Sequence, residues 1–587
     1  MKIIVTTALV AAAVMAQNAP LSQIAPPAWI EKSNANAQIL IAIEAKYVPE
    51  GASSEGVPGL DEEITVPSAE NRAKRRADSV KARELLGSRL ATEKDPLVKQ
   101  DLEILIAAVD RDIRTEDANE KTFLPYREIS NVIFFGEKSL LDDQVKPERR
   151  QAAVVRLRKY TGLEPGFTPI TIISEQRFRD ALKNPGLLGP SRIKVEKDLG
   201  DTQTFITGIG LLLEKYKLQG YQEAFAKLKE QLNEYDDFVR KEVLPKTRTD
   251  FRLPPAAYQS ALENYGVDFT PAELKQRAHA AFTEIQKQMK EVAARVAKER
   301  HLPSADYRSV IHELKKEQFN AEDILPSYER TLAAIEDIIR KNHLVTLPAR
   351  PAIITIASAA ETAQQPAPHM QPPPLLNNHG ERGKFVLPLE TAGAGGTALK
   401  YDDFTFAAAS WTLVAHEARP GHELQFDSMV EQGVSAARAL FAFNSTNAEG
   451  WGLYSEWFML PYMPDDAKLI SLQLRLLRAA RAFLDPELQE GVVTPEKAMK
   501  VLEDDVVTSK AFATEEVERY TFRSPGQAVS YFDGYTRLLE IRQLAEKALG
   551  PKFNVQEFHD FILSQGLLPP SLLRKAVMED FVKRQSH

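Results

Sequence analysis

Apolar residues recur at three- and four-residue intervals among charged positions over Lys74 to Arg89, Pro96 to Ile113 and Asp201 to Val243. That spacing predicts amphipathic helices with one packed face. A sharper start stands at Thr270-Pro271-Ala272-Glu273, with a capping hydroxyl, proline at the first helical position and Glu three residues after the cap. This helix is expected to run to about Arg300, and Thr494-Pro495-Glu496 has the same form. Further helices are expected at Ala321 to Lys341, Asp466 to Phe483, Thr536 to Leu549 and Val555 to Ser564. Strand patterns are few: Ala352 to Ile356 and Lys384 to Leu389, separated by the Pro-rich stretch Pro366 to Pro374. No fixed-period repeat is present, which argues against a solenoid. The fold class expected is mainly α, with a small β-sheet near the middle.

The pattern changes at the N-terminus. Lys2 is followed by the largely apolar Ile3 to Met15, and the next charge is Glu31. Thirteen residues make about 20 Å of helix, too short for a ~30 Å bilayer core. With small residues at Val14 and Ala16, the segment reads as a secretory signal cut after Ala16. The expected organisation is residues 1–16 as signal peptide, 17–250 as an N-terminal helical region and 251–587 as the catalytic region, in a periplasmic or secreted protein. No later stretch is long and apolar enough to cross a membrane.

Composition narrows the chemistry. The 587 residues include no cysteine and only ten histidines, and the formal charge is −8. Any metal must therefore be held by His, Asp and Glu. Interspersed charges of both signs offer no basic face for nucleic acid. The glycines Gly393, Gly395 and Gly396 lack the spacing of a phosphate loop and read as a loop beside a cleft.

The informative segment is His416-Glu417-Ala-Arg-Pro420-Gly421-His422, at the end of the uncharged and mostly apolar stretch Phe404 to Ala415. Two histidines four apart on a helix can hold one zinc. Six apart on an unbroken helix they diverge by about 240° and ~9 Å along the axis. Proline removes an internal hydrogen bond and glycine accepts unusual dihedrals, so Pro420 and Gly421 permit a break that returns His422 to His416. A third ligand is needed, with an open position for water. Downstream, Glu449 and Glu456 are seven apart on one helix face, so one could bind metal while the other holds a ligand or a substrate amine.

These residues resemble those of the bacterial domain-of-unknown-function 885 (DUF885) family, which looks like gluzincin-type zinc metallopeptidases marked by HExxPGH and EGWxxY. The resemblance takes in His416-Glu417-x-x-Pro420-Gly421-His422, Gln425, Glu449-Gly450-Trp451, Tyr454 and Glu456. It continues through Arg481, Asp485, Gln527, Tyr531, Gly534, Phe558-His559-Asp560 and Gly566. It covers residues 255–580 clearly and the region from Ala52 to Asp61 more loosely. Glu423 stands where many relatives have another His, and Asp485 is followed by Pro-Glu-Leu-Gln in place of a Gly-x-His pattern.

The resemblance implies a helical metallopeptidase-like fold, one Zn2+ per chain on His416, His422 and Glu449, Glu417 as general base, and a short peptide as substrate. Tyr531 or His559 could donate to the oxyanion. For Tyr531 the alternative is an interfacial core tyrosine, and for His559 a structural hydrogen bond. Arg481 is either an ion-pair partner of Asp485 or a clamp on a substrate carboxylate, with Glu456 the other substrate-side candidate. Lys384 to Leu389 could serve as an edge strand for extended substrate. A zinc hydrolase of a non-peptide amide or ester, and an inactive helical binding protein, are the competing readings. His312-Glu313 has Lys316 where an HExxH motif needs its second His, and His369 and His379 fall in loop-like sequence.

Overall fold

The computed structural model describes residues 27–392 and 398–586. The proposed signal segment and the glycines Gly393, Gly395 and Gly396 lie outside the described residues. The protein is mainly α, and its helices gather around separate buried cores. One core draws on residues from Ile64 to Val243, with Ala360 joining it. The largest draws on Tyr258 to Val582 together with Ile104.

The capped helix begins as its sequence dictates. Helix α1 spans Pro271–Glu299, and the Thr270 hydroxyl accepts from the Glu273 amide at 3.3 Å. The N-terminal periodicity over Asp201 to Val243 resolves into two helices, Arg192–Lys215 and Gln222–Phe238, separated by a turn containing Gly220 at φ 77°. A positive φ there suits glycine, which has no Cβ to clash.

The sheet corrects one expectation. Strands β1 (Ile353–Ile356), β2 (His369–Gln371) and β3 (Lys384–Leu387) lie in the order β1-β3-β2, with β3 parallel to β1 and antiparallel to β2. The strand expected to offer a free edge is therefore paired on both sides, so it cannot take an extended substrate. The strand that covers it is three residues between Pro368 and Pro372, too short to show alternation. Proline is tolerated at such an edge position because it has no N–H to contribute. His369, expected in a loop, belongs to β2, and its Nδ1 lies 2.9 Å from the Ala367 carbonyl. A short hairpin follows, β4 (Glu390–Ala392) with β5 (Ala398–Lys400).

Five helices build the site: α2 (Ala407–Glu417), α3 (His422–Gln432), α4 (Ser445–Met459), α5 (Asp465–Gln489) and α6 (Ser530–Leu549). Most of their apolar residues belong to the largest core, with Phe426 and Met429 of α3 in a smaller one, so polar residues on them are largely buried and need partners. A further helix, α7 (Val555–Ser564), packs against α3. Among the described residues no helix is long and apolar enough to cross a membrane.

Candidate metal centre

The chain breaks its helix where the sequence places Pro and Gly. Helix α2 ends at Glu417, Ala418 takes φ −101° and ψ −105°, the Arg419–Pro420 peptide is cis, and α3 opens at His422. A Cβ on Gly421 would sit 1.8 Å from the His416 carbonyl oxygen, so only glycine allows this close return. As a result the His416 and His422 rings meet at 4.7 Å between centroids with perpendicular planes.

Helix α4 supplies the third candidate ligand and the braces around it. Glu449 Oε2 lies 3.5 Å from His416 Nε2 and 3.3 Å from His422 Nε2. The candidate ligand atoms of the three residues all lie within 4.8 Å of one another. A tetrahedron whose corners stand ~2.1 Å from its centre has edges of about 3.4 Å, so the two His–Glu spacings fit a zinc between them. The donor set of two imidazoles and a carboxylate is that of catalytic zinc sites.

Two steps along α4, Trp451 donates its indole N–H to the carbonyls of Pro420 (3.0 Å) and Gly421 (3.2 Å), and the Ser455 hydroxyl donates to Pro420 at 3.3 Å. A Cβ on Gly452 would lie 2.7 Å from His416 Cε1 and Nε2, so this glycine leaves the space the imidazole fills.

Glu456 resolves the alternative left open by the sequence. It is fully buried, accepts from His416 Nδ1 at 2.7 Å and from the Thr412 hydroxyl at 2.8 Å, and lies 3.4 Å from Arg478 Nη2. Glu456 thus stands behind the imidazole and not at a substrate. Because a carboxylate accepts, His416 Nδ1 carries a proton, so Nε2, on the Glu449 side, is the nitrogen that would bind a metal on giving up its own proton. The Gln527 amide lies on the other face of Glu449, at 3.4 Å from Oε1, and also donates to Ser445 at 3.1 Å.

Burial disfavours charge on His416, but the carboxylates of Glu449 and Glu456 outweigh it and raise its pKa to about 9. Burial likewise opposes a charged Glu449, yet the two imidazoles hold its carboxyl well below the usual range. Glu417 differs. Burial pushes it up against the pull of both imidazoles, and among the described residues its carboxylate makes no hydrogen bond. A raised, uncommitted carboxylate beside two ligands suits a general base.

Tyr531, at the start of α6, stacks 6.2 Å from the His416 ring with planes 19° apart. Its hydroxyl takes only a long contact from Arg519 Nη1 at 3.4 Å, and the Arg481 guanidinium covers its ring at 4.4 Å. Burial raises its pKa, so it stays a hydrogen-bond donor near neutral pH. Tyr531 therefore belongs to the site.

His559 and Arg481 do not take the roles expected of them. His559 on α7 is fully buried, with Nδ1 at 2.8 Å from the Leu344 carbonyl and Nε2 at 2.8 Å from the Tyr454 hydroxyl. The carbonyl can only accept, so Nδ1 donates and Nε2 accepts from Tyr454, leaving no nitrogen for an oxyanion. Arg481 pairs through two hydrogen bonds with Glu516, at 2.7 and 2.6 Å, and not with Asp485. Asp485 accepts from the Tyr258 hydroxyl and the Gly526 amide. Arg481 is thereby spent inside the core and cannot swing out to clamp a substrate. At the Glu423 departure, the carboxylate pairs with Arg419, which also reaches Glu336 and the Arg350 carbonyl.

Sequence reasoning missed Thr412, Arg478 and Glu516. The available signal was three arginines at three-residue spacing, Arg475, Arg478 and Arg481, inside an apolar helical run. Buried cations at that spacing demand carboxylates on the helices packed against them.

A helical frame holding two imidazoles, one carboxylate between them and a second carboxylate alongside defines a candidate single-metal centre. The sequence profile described as "Bacterial protein of unknown function (DUF885)" matches residues 49–577, and the chain belongs to that family. Among solved structures it is similar to "the putative lipoprotein from Colwellia psychrerythraea", with a TM-score of 0.76, 18% identity and coverage of 94% of this chain and 99% of that one. It is also similar to "a putative lipoprotein of unknown function from Shewanella oneidensis", with a TM-score of 0.67, 17% identity and coverage of 94% and 100%. At these identities the likeness shows the fold alone. No curated protein matches the chain.

Proposed function

We propose that the chain is a zinc-dependent hydrolase of peptide bonds in short peptides. The observation that carries this reading is the convergence of His416, His422 and Glu449 within 4.8 Å, with Glu417 next in sequence to the first ligand. Zinc held by those three residues would supply a Lewis acid that makes water acidic near neutral pH and polarises a carbonyl. Glu417 takes the proton of the attacking water as its oxygen bonds to the carbonyl carbon. When the C–N bond breaks, Glu417 passes that proton to the leaving amine. Tyr531 donates its hydroxyl to the carbonyl oxygen as negative charge gathers there. Glu456 and Gln527 hold the ligands in place throughout.

The reading also puts the protein in the cell envelope or outside it. Its support is the charge-poor N-terminus and the two structural relatives, each described as a "putative lipoprotein". The sequence contains no cysteine, so no residue in it can carry a thioether-linked lipid.

Metal analysis of the purified protein with the Glu417→Gln variant tests the proposal. The parent is expected to hold one zinc and cleave short peptides, and the variant to keep the metal while losing at least a hundredfold in kcat. Full activity in the variant would remove Glu417 as base. Cleavage of amide or ester substrates with no peptide cleaved would favour the non-peptide hydrolase.

A further inference from the structure

A hydroxyl and a primary amide can each give and accept hydrogen bonds, so a neighbour must decide which way they point. Beside the candidate ligands, Tyr531 carries the hydroxyl and Gln527 the amide. Arginine only donates, and an arginine set against both groups fixes both. Arg519 has that place: its Nη1 lies 3.4 Å from the Tyr531 hydroxyl and 3.4 Å from Gln527 Oε1. Gln527 therefore turns its oxygen to Arg519 and its NH2 to the metal centre, where Nε2 is 3.4 Å from Glu449 Oε1 and 3.1 Å from the Ser445 hydroxyl. The Tyr531 oxygen receives from Arg519, which leaves its own proton for another acceptor, and among the described residues none is hydrogen-bonded to it. Burial raises the Tyr531 pKa, with Glu449 and Glu417 adding to the rise and Arg519 and Arg481 opposing it. The hydroxyl thus feels both the carboxylates of the site and the guanidinium groups.

Arg519 is itself held in place. Glu515, one turn earlier on the helix Lys510–Glu518, takes Nη2 at 2.8 Å, and Glu516 lies 3.7 Å from the same nitrogen. With Nη2 committed, Nη1 is left to face Gln527 and Tyr531. Arg481, by contrast, covers the face of the Tyr531 ring and gives two hydrogen bonds to Glu516. The Arg519 and Glu449 side chains keep 12% and 18% of their surface in solvent, whereas Glu456 keeps none. The connected set Arg519, Gln527 and Glu449 is therefore a less sealed side of the site.

We infer that Arg519 is a positioning residue of this site: through Nη1 it turns the Gln527 amide toward Glu449 and the Tyr531 proton toward the carbonyl oxygen of the substrate. This rests on the zinc-peptidase reading and deepens it. Arg519 acts through its two neighbours and touches none of the candidate ligands.

Two double-mutant cycles test this, with binding as the readout so that turnover plays no part. Removing Arg519 alone would leave Glu515 as a buried charge without its partner, so Arg519→Met is made together with Glu515→Gln and compared with Glu515→Gln alone. The first cycle measures zinc affinity by chelator competition, with and without Gln527→Leu. The second measures binding of a phosphinic analogue of Ala-Ala-Ala, with PO2–CH2 in place of the first CO–NH, to the zinc-loaded protein, with and without Tyr531→Phe. Loss of Arg519 is expected to weaken zinc about tenfold beside the native Gln527 and less than about twofold in Gln527→Leu. It is expected to weaken the analogue about tenfold beside the native Tyr531 and less than about twofold in Tyr531→Phe. Melting temperatures check folding, and should the paired variant not fold, Arg519→Lys, which keeps the charge but not the fork, is read in the same cycles. An Arg519 that only braced the fold would act alike on both backgrounds. Equal losses with and without the partner, no loss in either cycle, or no binding of the analogue by the parent would overturn the inference. The peptidase reading fails separately if the zinc-loaded parent cleaves no short peptide while both couplings appear.

Discussion

The indole N–H of Trp451 donates to the Pro420 carbonyl at 3.0 Å, which ties the centre of the EGW segment to the helix break inside HExxPGH. The two motifs are one device. The break turns His422 back, and Trp451 holds the break against the helix that carries Glu449. Trp451→Phe keeps most of the ring and removes the donor. It is expected to cost about 1–3 kcal/mol of stability, from buried carbonyls left short of a donor and a small packing loss, and to weaken zinc binding about tenfold. Thermal melting and chelator competition measure the two effects.

Gly452→Ala separates packing against His416 from helix propensity. Glycine inside a helix costs about 1 kcal/mol relative to alanine, so the change would ordinarily stabilise α4. Here the added Cβ would meet the His416 ring at 2.7 Å. The expected outcome is a loss of zinc affinity without any gain in melting temperature.

Glu456→Gln tests the brace behind His416. The amide can still fill the space and can accept through its oxygen, but it carries no charge to balance the imidazole and Arg478. A 10- to 100-fold loss of zinc affinity is expected, the usual cost of removing an outer carboxylate partner. A Glu456 that touched substrate would instead raise KM and leave zinc affinity unchanged.

His559 sets an acid limit on folding. Its burial holds the imidazole pKa down at about 3, against an ordinary value of 6.5. The unfolded chain therefore binds more protons than the folded one between those values, and stability rises with pH across that window. Its contribution is fully present above pH 6.5 and falls as the pH drops towards 3. At pH 5 the loss is roughly 2 kcal/mol. In His559→Gln the difference in melting temperature between pH 7 and pH 5 is expected to shrink, with kcat at pH 7 changed only as far as the fold is loosened.

Long helices were legible in the sequence because apolar spacing and local caps are written in adjacent residues. Thr270-Pro271 marks the start of α1, and Val555 to Ser564 is a helix over the same residues. Helix α6 begins at Ser530, six residues before the expected Thr536, because its first turn is fixed by contacts with distant segments, Ser530 with Ser445 and Gly534 with the Thr446 and Gly450 backbone of α4, and not by a local apolar period. Strand β2 escaped notice because its pairing is decided across the sheet by β3. At the site, the candidate ligand residues could be named because they sit within two short segments. The partners of Arg481, Glu456 and His559 could not, since Glu516, Thr412 and Leu344 come from distant parts of the chain and join them only in the packed fold.

The central claim is that His416, His422 and Glu449 together hold one catalytic zinc, and zinc titration calorimetry of the metal-stripped protein tests it most directly. One site per chain is expected, with affinity reduced at least a hundredfold in His422→Ala and in Glu449→Ala while the helical circular dichroism of each variant is retained. Parent protein that binds no zinc, or variants that bind it as the parent does, would contradict the account.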